Sequence, residues 1–171
     1  IVSNISLKNS NSLATTDGGT SITMSIDTPT IGNVLIASIS VDKSSGGFNT
    51  TNGCTLVNEY DGESVSFAMF FKIADGTETE MIATYNNAHD SLGYVDEFQG
   101  FVGTPILDAI SSTYQDTASL SVSTGTTTIS TKPDALAFAI YGSDSQSNLS
   151  GEPTVTNGFI HEGIYTYNAG L

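Results

Sequence analysis

Val65-Ser66-Phe67-Ala68-Met69-Phe70-Phe71-Lys72-Ile73 is the stretch whose reading decides the fold. Val65, Phe67, Met69, Phe71 and Ile73 alternate with Ser66, Ala68, Phe70 and Lys72. That is the period of a β-strand, whose successive side chains point to opposite faces. The odd-numbered set is expected to face the core. Upstream lie Cys54–Tyr60, another strand-like run, and then Asp61-Gly62. Asp-Gly tolerates the positive φ of a type I′ turn, so the two runs are expected to form a hairpin.

The same period extends outward in both directions. Ile22, Met24 and Ile26 alternate with hydroxyl residues, Leu92, Tyr94, Asp96 and Phe98 share one face of another run, and Leu120 and Val122 mark a short one. Asn33–Ile39 and Ala135–Tyr141 are nearly continuous apolar runs and read as central strands covered on both faces. Turns are expected at Asp17-Gly18-Gly19, Ser45-Gly46-Gly47, Asp75-Gly76, Thr124-Gly125 and Gly151-Glu152-Pro153. No segment combines apolar residues at helical spacing with a capping signal. The expectation is an all-β protein, an antiparallel β-sandwich or jelly roll of about nine or ten strands.

Composition narrows the function. The 171 residues suit a single domain spanning 1–171, large enough to fold without a staple. Eighteen acidic residues stand against four lysines and no arginine, for a net charge of −14. A nucleic-acid binder needs a basic face to displace counterions, and an anionic membrane surface would repel this chain. No apolar run is long enough to span a bilayer as a helix. With 38% hydrophobic residues the chain is not compositionally disordered. Cys54 is the single cysteine and reads as a small strand hydrophobe, the other reading being a reactive or intermolecular thiol. The chain starts Ile1-Val2 rather than with Met, which suggests a processed or excised product. Acidity and abundant Ser, Thr and Asn favour an extracellular or virion-surface location.

A weak internal repeat links residues 30–60 and 131–167. Thr30–Asp42 resembles Thr131–Asp144, each is followed by Thr-Asn-Gly (Thr51-Asn52-Gly53, Thr156-Asn157-Gly158), and a strand-like run follows each. The first copy continues through Ser64–Ile73 to Gln99, whereas the second stops at Leu171. An open edge beside Phe159–Tyr167, completed by another subunit, would follow from that, the other reading being a fragment.

Five short segments carry a family resemblance: Gly32-Asn33-Val34-Leu35-Ile36, Gly53-Cys54-Thr55-Leu56-Val57, Phe70-Phe71-Lys72-Ile73-Ala74, Glu97-Phe98-Gln99-Gly100 and Thr104-Pro105-Ile106-Leu107-Asp108. In this order they resemble β-sandwich modules of phage structural proteins and bacterial surface proteins. Cys54 stands where that family usually carries Trp. The resemblance spans roughly Thr30 to Gly142 and implies a structural or adhesive role, with no catalytic residues to carry over.

Chemistry-bearing residues are sparse. There are two histidines, His89 in a polar segment read as a loop and His161 at a strand rim, and no nucleophile elbow. Glu78 with Glu80 is the pair that a glycosidase reading would use, while Asp96 and Glu97 should point to opposite faces. Calcium is the ion that the acidic loops around Asp42, Asp75, Glu78 and Asp144 fit, by their hard oxygens, the other reading being acidic solubilising turns. Surface glycans would need a platform from Tyr60, Tyr85, Tyr114, Tyr165 or Tyr167. Asn4, Asn49 and Asn148 head sequons that matter only in a glycosylating host.

The reading that follows is a non-enzymatic structural subunit of a virion appendage or extracellular filament, partnered by copies of itself or neighbouring subunits. The alternative is a carbohydrate- or calcium-dependent adhesion module. Subunit contacts are expected from the chain ends, at Ile1, Val2, Ile5, Leu7, Tyr165 and Tyr167. Ile1–Leu7 could equally be the first strand of its own sheet, with Asn9-Ser10-Asn11-Ser12 as a polar linker.

Overall fold

A computed structural model describes residues 4–10, 13–50, 53–111, 123, 126 and 135–140. The described secondary structure is all β: β1 (Ser6–Ser10), β2 (Ala14–Ser25), β3 (Val34–Asp42), β4 (Phe48–Thr50), β5 (Thr55–Asp61), β6 (Val65–Ile73) and β7 (Glu80–Gln99). All seven join one antiparallel sheet with the order β1-β7-β3-β6-β5, and β2 and β4 also pair with β7. The expected hairpin is β5–β6, and the expected doubly covered strand is β3, buried along most of its length.

β7 organises the rest. Its 20 residues take β1 and then β2 along one edge, from Ser6↔Gln99 to Ser25↔Glu80. Its other edge takes β3 at Ser91–Phe98 and β4 at Ala83–Tyr85. A straight strand would hold Met81 and Val95 about 46 Å apart, yet both belong to one buried cluster. The sheet therefore folds back over itself. Ile22 and Met24 on β2, Phe48 on β4 and Met81, Ala83 and Tyr85 on β7 close over Leu35, Ala37, Ile39 and Val41 on β3 and Ala68 and Phe70 on β6. Phe48 packs edge-on against both Phe70 and Tyr85, with ring centroids 6.4 and 6.0 Å away. Gly93 permits the closure, because a Cβ there would lie 2.9 Å from Met24 Sδ and 3.3 Å from Ile39 Cγ1.

The corner in β7 is built from a segment that reads as a loop. Gly19 pairs with His89 and Ser21 with Thr84, so Tyr85-Asn86-Asn87-Ala88 lack partners on β2. The N–H groups of Asn86 and Asn87 both donate to Ser45 O at 2.9 Å. Their side-chain amides donate to Gly46 O (2.6 Å) and Ser44 O (3.1 Å). The Ser44–Gly47 turn, with positive φ at Gly46 and Gly47, thus clasps the corner from outside the ladder. Inside the bend the Tyr85 hydroxyl sits 2.8 Å from Ser91 Oγ.

Several expectations change. On β6 the even-numbered Ser66, Ala68 and Phe70 are buried, while Val65, Phe67, Met69, Phe71 and Ile73 are half-buried. Ile36 and Phe98 belong with Val34 to a second cluster, on the face opposite Ile39, against which Met69, Phe71, Leu136 and Phe138 pack. Phe98 and Phe138 meet edge-on at 5.8 Å. Residues 135–140 carry no strand and alternate between half-buried and exposed, so their alanines are not covered as a central strand's would be. The remainder of the second repeat copy lies outside the described residues. Asp17-Gly18-Gly19 is a bulged part of β2 rather than a chain reversal: Gly18 takes φ 66° and its N–H donates to Asp90 Oδ1 at 2.8 Å. Gly62 lacks the positive φ of a type I′ turn; Asp61 pairs with Ser66, and the turn is longer. Asn9 and Ser10 are strand residues, not linker.

These two faces give a ranking. Phe70, 2% exposed, is central to the enclosed cluster, whereas Phe71 is half-buried. Phe70→Ala is expected to cost about 3–5 kcal/mol, the range for emptying a packed aromatic site. Phe71→Ala should cost clearly less. Denaturant midpoints of the two variants check the order, and a larger loss at Phe71 would reverse the assignment of the inner face.

Candidate functional site

Among the described residues, three carboxylates, Glu97, Glu78 and Asp61, each gather a cluster of donors and tie turns to strands. Glu97, on the central strand β7, is 1% exposed. Its Oε1 accepts from Thr30 N (2.8 Å), Asn33 Nδ2 (2.6 Å) and Lys8 Nζ (3.1 Å), and its Oε2 from Asn9 Nδ2 (3.5 Å). Burial by itself would push this carboxyl up. The Thr30 N–H, the Asn33 amide and the Lys8 ammonium together hold it below the usual carboxylate range. The same contacts order the Thr30–Asn33 turn, where Gly32 takes φ 85°. Gly32 N–H donates to Ala74 O (2.9 Å) and Ala74 N–H to Asn33 O (2.8 Å), joining that turn to the end of β6.

The second cluster is Lys72 with Glu78 and Asp75. Lys72 Nζ lies 2.9 Å from Glu78 Oε1 and 3.5 Å from Asp75 Oδ2. Glu78 also accepts from the N–H groups of Asp75 (2.9 Å) and Gly76 (3.0 Å), and Asp75 Oδ1 accepts from Thr77 N (3.0 Å) and the Thr77 hydroxyl. The hydrogen bond to Glu78 raises Lys72 above its ordinary value. Burial alone would raise Glu78, but the Asp75 N–H and Lys72 outweigh it and hold the carboxyl low. Asp75 is held low by the Thr77 hydroxyl and N–H.

The third cluster is Asp61 at the end of β5. Its Oδ1 takes Ser45 N (2.8 Å), Ser45 Oγ (3.1 Å), Ser44 Oγ (3.1 Å) and Ser66 Oγ (2.8 Å). Desolvation pushes this carboxyl up, and the hydrogen bonds from Ser66, Ser45 and Ser44 bring it below the ordinary value. Asp61 thereby anchors the turn that clasps the β7 corner.

The residues singled out in the sequence fall as follows. Asp75 and Glu78 come together, with the Lys72 ammonium between their oxygens, and Asp42 is exposed at the far end of β3. Among the described residues no group of three or more His, Cys, Asp or Glu is placed to hold a metal ion. Asp144 lies outside the described residues. Glu80 is exposed in β7 while Glu78 is buried in the turn before it; a shallow, open depression lined by Lys72, Thr77, Glu78, Thr79 and Glu80 covers the ion pair. Asp96 and Glu97 are both buried and point to opposite faces, as their register against Ile36 and Leu35 requires. His89 lies within β7 rather than in a loop. Cys54 packs half-buried against the enclosed cluster, where burial pushes its thiol up. Tyr85 is buried and Tyr60 half-buried, so neither offers a flat exposed ring; Tyr114, Tyr165 and Tyr167 lie outside the described residues.

For the chain ends, Ile1 and Val2 lie outside the described residues. Ile5 and Leu7 are half-buried, and β1 pairs with β7 of its own chain, latched by Lys8 on Glu97 and by Ser10 Oγ on Asp96. The first-strand reading therefore describes Ser6–Ser10. The signal for Glu97 in the sequence is its place in a strand: Asp96 and Glu97 are adjacent between Val95 and Phe98, and in a strand covered on both faces each carboxylate must be bound by something.

Stability should follow these carboxylates. Each has its folded-state pKa below its ordinary value, so each stabilises the fold above that value and the contribution is lost as pH falls through the folded pKa. Melting temperature is expected to hold from neutral pH to near 5 and to fall steeply below about pH 4. Glu97→Gln should lower stability at neutral pH and flatten that acid limb; an unchanged slope would mean that Glu97 is not a principal source.

Comparison of the chain with protein-family models, with curated proteins and with solved structures returns no match.

Proposed function

We propose that the protein is a non-enzymatic structural module that works by packing against copies of itself or neighbouring subunits, as part of a virion appendage or an extracellular filament. The rolled sheet fits one half of a sandwich or jelly-roll module, with the face of Val34, Ile36 and Phe98 as the surface against which the second half would pack. The observation that carries the reading is the use to which the resembling segments are put. Asn33 of the first donates to Glu97 of the fourth, and Gly32 and Asn33 exchange backbone hydrogen bonds with Ala74 of the third. Those residues hold one another, so the likeness to phage and surface β-sandwich modules rests on residues that specify a fold. Lys72, Glu78, Asp61 and Glu97 are likewise occupied by partners within the chain. An acidic, arginine-free surface suits an exposed assembly outside the cell, where net charge keeps free subunits dispersed.

Sedimentation velocity over a concentration series tests this. Concentration-dependent growth of larger species is expected at about 0.15 M salt, where the Debye length has fallen to about 8 Å. A folded species that stays strictly monomeric at every concentration overturns the assembly reading.

A further inference from the structure

We infer that the outer edge of β2, over Thr20–Ile26, is a self-pairing surface that joins two copies of the chain into one continuous antiparallel sheet. The inference rests on the assembly reading above and names one contact of it. An unpaired strand edge templates further strands, and proteins commonly guard such edges with charges, prolines, bulges or short length. Among the described residues β1, β2 and β4 pair only with β7, and β5 only with β6. β1 carries Lys8 and a register shift after Leu7. β5 carries Glu59, Asp61 and a register shift after Leu56. β4 has three residues, and its Phe48 N–H already donates to Glu59 Oε2 at 3.0 Å. The first half of β2 carries Asp17 and the bulge at Gly18-Gly19. Thr20-Ser21-Ile22-Thr23-Met24-Ser25-Ile26 has no charge and no proline, and its ladder runs without a shift from Ser21 to Ser25.

The orientation of that edge follows from one bond. Ile26 N–H donates to Thr79 O at 2.9 Å. Antiparallel ladders alternate, so Met24 and Ile22 also turn their backbone groups toward β7. The N–H and C=O groups of Ser21, Thr23 and Ser25 then point away from β7. Their side chains are exposed, while Ile22 and Met24 are buried in the enclosed core.

The partner that fits this edge is a second copy, because Thr20–Ile26 carries no charge and is self-complementary about a twofold axis. In a chain of net charge −14, two copies can meet strand to strand only where no carboxylates are brought face to face. A twofold axis through Thr23 places Thr23 opposite Thr23, Ser21 opposite Ser25 and Ile22 opposite Met24. Paired Thr and Ser side chains favour such a cross-strand contact. Asp27 falls opposite Gly19 rather than another acid. Each hydrogen-bonded pair in this register exchanges two N–H···O=C bonds. The contact is isologous and closes a dimer, so a filament requires a second, different contact.

Two variants test the edge. Thr23→Pro removes an outward N–H without touching the β7 ladder, and Thr23→Lys keeps the N–H but sets two ammonium groups against each other across the axis. Both are compared with the unaltered chain by sedimentation velocity at about 0.15 M salt, with circular dichroism and melting temperature confirming the fold. The expected result is self-association of the unaltered chain, weakened about tenfold or more in both variants. In the unaltered chain the amides of Ser21, Thr23 and Ser25 should gain hydrogen-exchange protection as concentration rises. If Thr23→Pro fails to fold, Thr23→Lys decides alone. Association as strong in the folded variants as in the unaltered chain overturns this edge and leaves the assembly reading standing. A chain that is monomeric throughout overturns both.

Discussion

The structure depends on one strand bending through a corner. β7 supplies the middle of the sheet at both of its ends, and the enclosed core exists because its two halves face each other. Two features make the bend. The absence of a side chain at Gly93 lets Ile22 and Met24 settle directly on the opposite half. Asn86 and Asn87, released from the β2 ladder, redirect their hydrogen bonds to the Ser44–Gly47 turn. A bulge normally leaves backbone groups unpaired; here a neighbouring turn receives them.

The distribution of charge follows from the same architecture. In so acidic a chain, carboxylates repel one another on the surface, but a few are made structural, Glu97 and Glu78 buried and Asp61 exposed at the end of β5. Glu97 ties the first strand and the Thr30–Asn33 turn to the central strand, Glu78 orders the turn into β7, and Asp61 fixes the turn that clasps the corner. Two of the four lysines, Lys8 and Lys72, are held by such acids. Burying a carboxylate is unfavourable unless donors surround it. Main-chain N–H groups supply many of those donors, which is how a chain with few cations can bury acids at all. Ser38 is the counterexample: the residue is 4% exposed, and its hydroxyl has no hydrogen-bond partner among the described residues.

Much of the sheet was legible in the sequence, because alternation and continuous apolar runs report local geometry. β3, the β5–β6 hairpin and the alternating ends of β2 and β7 all follow from it. The inner face of β6 was not legible. Phe70 and Ala68 on one side and Phe71 and Met69 on the other are equally apolar, and the period of two says only that they differ in side. Asp17-Gly18-Gly19 signalled a positive φ, which a bulge satisfies as well as a turn does. Asn86–Asp90 is polar enough to be a loop and is strand only because a distant turn binds it. The carboxylate clusters escaped for a similar reason: their partners come from separate parts of the chain, as Lys8, Thr30 and Asn33 do around Glu97.

The long pairing along β7 also sets the order in which the chain can fold. β1 and β2 find their partners only in the most distant described strand, with Ser6 opposite Gln99 and Ser25 opposite Glu80. During synthesis both strands leave the ribosome well before β7 exists. In the interval only the β5–β6 hairpin and the docking of β3 on β6 can form, because their partners are close in sequence. Closing so large a loop costs entropy before any ladder hydrogen bond is gained, which places the chain among slow, high-contact-order folders. Until β7 arrives, Ile22 and Met24 remain uncovered on a strand with no partner, and the nascent chain depends on its own negative charge to keep neighbours apart.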